Sequence, residues 1–121
     1  MVSTLNWFEI PAKDFARAKA FYAKVLDVQI HDDPNRQYAY FPYDSQNGGF
    51  GGAIGYGENF VPAIAGTTAY LDGGNDLSVP LGRVESAGGK VILPKTAIGD
   101  NGFIALFIDT EGNKVGFHSM G

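Results

Sequence analysis

The chain has 121 residues, of which 45% are hydrophobic and 13% aromatic, enough apolar side chain for one domain of ordinary size with a core. Its formal charge is −4 and its pI near 4.9, and its nine lysines and arginines are scattered, which excludes nucleic acid and disfavours a membrane surface as partner. Cysteine is absent, so a disulfide framework, a thiol nucleophile and a zinc–thiolate site are excluded.

Residues 5–10 read as a short strand that Pro11 ends, and Asp14 stands where a side chain caps the first free N–H groups of a helix. Phe15, Ala18, Phe21, Tyr22, Val25 and Leu26 then recur at helical steps and form one buried face, with Arg17, Lys19 and Lys24 pointing away. Residues 28–31 read as a strand, Asp32-Asp33-Pro34-Asn35 as a turn, and residues 37–43 and 50–56 as two further strands. The first half is therefore expected to be β-α-β-β-β.

The second half repeats that order. Residues 67–71 are a strand, Asp76 is the matching cap, and Leu77, Leu81 and Val84 make an apolar stripe that Ala87-Gly88-Gly89 closes. Pro80 falls in the first turn, where a missing N–H is tolerated. Residues 90–93, 103–108 and 114–118 supply three more strands. The two capping aspartates lie 62 residues apart, and Asp109 follows Asp44 by 65. One offset thus aligns both ends of a duplicated supersecondary unit, as opposed to a solenoid of many short copies.

Residues 7–22, Trp7-Phe8-Glu9-Ile10-Pro11-Ala12-Lys13-Asp14-Phe15-Ala16-Arg17-Ala18-Lys19-Ala20-Phe21-Tyr22, together with Ile108-Asp109-Thr110-Glu111-Gly112-Asn113, resemble the vicinal oxygen chelate superfamily: glyoxalase I, bleomycin- and fosfomycin-resistance proteins and extradiol dioxygenases. The resemblance covers essentially the whole chain. It implies an α+β fold in which two tandem βαβββ modules, about 1–60 and 61–121 of a single domain 1–121, form an incomplete barrel around a cleft. It also implies a homodimer. In catalytic members a divalent cation, held by His, Gln or Glu on the first and last strand of each module, polarises the vicinal oxygens of a substrate. The first-strand ligand lies seven residues before the capping aspartate, at Trp7 and Ala69 here. The last-strand ligand lies four residues after the glycine of the closing turn, at Gly116, with its first-module counterpart near Gly52 or Ala53. A shift of one residue brings Asn6 or Phe8 and Tyr70 or Thr68, which rebuilds no site. The resemblance therefore leads to the expectation of a cleft without cofactor, its usual metal ligands absent.

Strand alternation gives the rest of the lining, because side chains two apart share a face. Trp7 brings Glu9 with it, Gly116 brings His118, Tyr38 and Tyr40 share a face, and Phe103, Ala105 and Phe107 share another. The expected ligand-binding residues are Trp7, Glu9, Tyr38, Tyr40, Phe103, Phe107 and His118, with Glu9 and His118 as the candidate catalytic pair. Each has a plain alternative: Glu9 closing the sheet, His118 a solvated tail residue, Trp7 core filler, Tyr38 and Tyr40 at a dimer interface. His31 beside Asp32 and Asp33 reads as a surface turn. Gly48-Gly49-Phe50-Gly51-Gly52 joins no strand to a helix, so it is no phosphate loop. No serine carries a nucleophile elbow, and neither histidine offers a recognisable triad.

Three readings follow. One is a metal-free protein binding a small, aromatic or planar molecule. Another is a lyase, isomerase or dioxygenase with a relocated metal or Glu9/His118 acid–base chemistry. The last is a dimeric interaction module with a vestigial cleft. A cytoplasmic location is expected, since the sequence opens without a basic start or a long apolar run.

Overall fold

The computed structural model describes residues 3–121. Its first module runs β1 (Phe8–Ala12), α1 (Phe15–Leu26), β2 (His31–Asp32), β3 (Tyr38–Tyr40) and β4 (Gly52–Tyr56), and its second β5 (Tyr70–Asp72), α2 (Ser78–Leu81), β6 (Lys90–Ala97), β7 (Phe103–Ile108) and β8 (Lys114–Ser119). Each module is a four-stranded sheet, ordered β1-β4-β3-β2 and β5-β8-β7-β6. In both, the first strand runs parallel to the last and the other pairings are antiparallel. The architecture is α+β and the sheets do not close a barrel; β1 and β5 are edge strands.

Asp14 caps α1 by accepting a hydrogen bond from the Arg17 backbone N–H at 3.1 Å, and Asp27, in the left-handed region at φ 55°, ends it. Its buried face is Ala18, Phe21, Tyr22 and Val25. Phe21 meets Phe107 of the second module at 6.0 Å between ring centroids, and Phe107 meets Phe117 at 5.0 Å. Ile10, Phe41 and Ile54 of the first module join Leu71, Leu77, Val84, Val115 and Phe117 of the second in one core.

Pro11 does not end β1: it lies inside the strand, opposite Gly55, because an edge strand tolerates a residue with no N–H to donate. The second helix is a single turn. Asp76 accepts from Ser78 N–H, but Leu77 is the cap residue and its side chain makes no capping bond. Pro80, Gly82, Gly88 and Gly89 are poor helix formers, so the chain continues to residue 88 as turns that still bury Leu77 and Val84. Among the described residues no helix is long and apolar enough to cross a membrane.

Candidate functional site

A groove of about 1060 Å³ runs between the edge strands β1 and β5. Trp7, Phe8 and Glu9 line one side, Tyr70, Leu71, Asp72 and His118 the other, and Pro42 with residues 49–52 forms a lip at one end. Alternation explains the split. Phe8, Ile10 and Leu71 pack on the core, with Phe8 and Leu71 also bordering the groove, while Trp7 and Glu9, and Tyr70 and Asp72, lie on the opposite face of their strands.

On the first module, the Trp7 indole Nε1–H donates to the Tyr38 hydroxyl at 2.9 Å, and that hydroxyl donates to Glu9 Oε2 at 2.7 Å. Tyr40 donates to Asp33 Oδ2 at 2.6 Å, and Arg36 lies 3.9 Å above the Tyr38 ring. Burial pushes the Tyr38 hydroxyl pKa up and the bond to Glu9 pushes it further, so it stays a proton donor to the carboxylate. The Asp33 bond raises Tyr40 and lowers Asp33 in turn. These bonds fix the indole plane and one carboxylate oxygen before any ligand arrives.

On the second module, Tyr70 pairs with Gly116 and Asp72 with His118. His118 Nε2 lies 2.5 Å from the Asn101 carbonyl oxygen; a carbonyl only accepts, so this nitrogen carries the proton.

Of the seven residues expected at the site, Trp7, Glu9 and His118 line the groove. Tyr38 and Tyr40 stand behind it, sharing its face through the hydrogen-bond chain and edge contacts to Trp7. Phe103 and Phe107 do not belong to it. Opposed residues of an antiparallel pair share a face, and β7 sets Ile104 against His118 and Leu106 against Gly116, while Ala105 and Phe107 oppose Phe117 and Val115. Phe107 is therefore core, fully buried, and Phe103 packs at the core margin beneath Lys95. The face of β7 that the groove's side shares is thus the aliphatic one, Ile104 and Leu106, one residue out of step with the expected Phe103 and Phe107. Tyr70 and Asp72 complete the groove, and the sequence carries a signal for them: Tyr70-Leu71-Asp72 repeats the aromatic-apolar-acid order of Trp7-Phe8-Glu9.

At the expected first-module metal position a side chain on Gly52 would run into the Phe8 ring, one on its neighbour Gly51 into the Tyr43 and Trp7 rings, and at the second-module position one on Gly116 into the Tyr70 ring. In each module an aromatic ring from the first strand or the residue just before it occupies the space a ligand at or beside the last strand would need. Two rings and two glycines do not fit a divalent cation, which wants imidazole or carboxylate donors. Among the described residues no three His, Cys, Asp or Glu side chains are grouped to hold one elsewhere.

Residues 4–117 match the glyoxalase/bleomycin resistance protein/dioxygenase superfamily. The chain belongs to that superfamily. Solved glyoxalase-fold structures agree with the assignment. A glyoxalase/bleomycin resistance protein from Albidiferax ferrireducens is 17% identical with a TM-score of 0.72, covering 97% of this chain and 98% of its own. The fosfomycin resistance protein of Mesorhizobium loti is 17% identical, with a TM-score of 0.66 and coverages of 98% and 93%. A glyoxalase I variant from Zea mays is 21% identical at a TM-score of 0.65, matching 96% of this chain and 46% of its own. No curated protein matches the sequence. At such identities the likeness carries the fold of this superfamily member and no substrate.

Proposed function

We propose that this superfamily member binds a small, flat or aromatic molecule in the groove between β1 and β5, without the metal centre of its catalytic relatives. The observation that carries the reading is the aromatic ring laid over a glycine in both modules, Trp7 at Gly51 and Tyr70 at Gly116. Space that a cation and its ligands would fill is given to ring faces, and a concave, mostly apolar site with a few polar groups suits a small organic ligand.

Thermal-shift screening against a library of metabolites and antibiotics tests the reading. A true ligand at 100 times its Kd adds about 2.7 kcal/mol of apparent stability, and Trp7→Ala abolishes that shift. A shift that survives Trp7→Ala places the ligand elsewhere and sinks the assignment.

Glu9 and His118 support a second reading. A carboxylate and an imidazole lining one groove can share a proton transfer, so a compound found by the screen should be assayed for turnover. Loss of turnover in both Glu9→Gln and His118→Gln, with binding kept, would make the protein an enzyme.

A further inference from the structure

The two strands that face each other across the groove carry the same short pattern, Trp7-Phe8-Glu9 and Tyr70-Leu71-Asp72. In each, the middle residue is the most buried of the three and packs on the core, and all three border the groove. Each wall therefore offers an aromatic ring and, two residues on, a carboxylate. Trp7 is 38% exposed and Tyr70 46%, so part of each ring is open to a ligand.

The charge at this place is one-sided. No lysine or arginine lines the groove, and neither Glu9 nor Asp72 takes part in an ion pair among the described residues. Glu9 uses Oε2 to accept from Tyr38, while Oε1 has no hydrogen-bond partner among the described residues. Asp72 accepts from the Gly74 backbone N–H through Oδ1, which leaves Oδ2 open in the same way. Arg36 lies over Tyr38 and outside the lining. His118 spends Nε2–H on the Asn101 carbonyl.

An aromatic face attracts a cation through its quadrupole, and a carboxylate with an oxygen left open does so through its charge. Anions meet repulsion from both walls. Resting on the groove as the binding site, we infer that its ligand is an organic cation, a protonated amine, amidine or quaternary ammonium carried on a flat apolar body. The ring system stacks on Trp7 or Tyr70, and the cationic centre meets the carboxylate two residues on, Glu9 or Asp72.

Calorimetric titration with three probes of similar shape tests this: N-methylquinolinium, quinoline, which is uncharged in neutral buffer, and naphthoate. The cation should bind about tenfold tighter than quinoline, and naphthoate more weakly than either. Glu9→Gln and Asp72→Asn should each weaken the cation more than quinoline and so narrow the gap between them. Asp72→Asn carries the test alone should Glu9→Gln melt early, since Asp72 is exposed and its recorded bond is to one backbone N–H. Equal affinity for cation and quinoline, or tighter binding of naphthoate, overturns the inference and leaves the groove standing as a site. Binding of none of the three also overturns it, and the groove falls too when the wider screen finds no Trp7-dependent ligand.

Discussion

The turn that closes the second module and its counterpart in the first are built from kindred residues, Asp109-Thr110-Glu111-Gly112-Asn113 and Asp44-Ser45-Gln46-Asn47-Gly48. In the second module Asp109, Glu111 and Asn113 are buried. Glu111 accepts from the backbone N–H groups of Lys13 and Asp14 at 2.8 and 2.7 Å and from the Arg17 guanidinium at 2.8 Å. Asp109 accepts from the Tyr22 hydroxyl at 2.7 Å, and Asn113 donates to the Pro11 carbonyl. Gly112, at φ +97°, supplies the left-handed residue that lets the turn fold back on itself. All these partners come from β1, α1 and the residues between, so this turn fastens one module to the other. In the first module Asp44 accepts from Gln46 N–H and Asn47 Nδ2, the turn is exposed, and the residues after it form the lip of the groove. Duplication supplied two copies of one turn; one became a joint, and the other left the cleft open.

Substitutions at equivalent places should expose that division. Glu111→Ala removes a buried acceptor from two backbone donors and from Arg17, and should cost about 3 kcal/mol in urea denaturation. Tyr22→Phe leaves Asp109 short of one donor in the core and should cost about 2 kcal/mol by the same measurement. Asp44→Ala, in the exposed copy, should cost about 0.5 kcal/mol or less. A loss at Asp44 as large as that at Glu111 would contradict the division.

Acid sharpens the same contrast. Burial alone would raise the Glu111 pKa, but hydrogen bonds from Arg17, Asp14, Thr110 and Lys13 outweigh it and hold the group below its ordinary value of 4.5. A depressed carboxylate stabilises the fold above its unfolded value, and that contribution is lost as pH falls through the folded value. The stability gap between the natural chain and Glu111→Gln should therefore be constant above 4.5 and narrow below it. A gap that stays flat into acid would show that the Glu111 charge is not what joins the modules.

Much of this was legible in the sequence, and the failures have physical reasons. The helical period of Phe15 to Leu26 and the cap at Asp14 were visible because both are local. The facing error at Phe103 and Phe107 came from a strand whose two faces, Phe-Ala-Phe and Ile-Leu-Ile, are both apolar, so that only pairing with Gly116 and His118 separates them. The joint at residues 109–113 marked the superfamily but hid its own work, since Tyr22 lies 87 residues from Asp109 and Pro11 lies 102 from Asn113. Tyr70 and Asp72 were readable only by setting the two first strands side by side.

Trp7 is the one tryptophan in the chain, and it stands at the groove, so its emission reports directly on what enters there. A compound that stabilises the protein in the thermal screen should change Trp7 fluorescence saturably, with a midpoint matching its calorimetric Kd. A compound that binds stoichiometrically and leaves that emission untouched would contradict the placement of the ligand between β1 and β5.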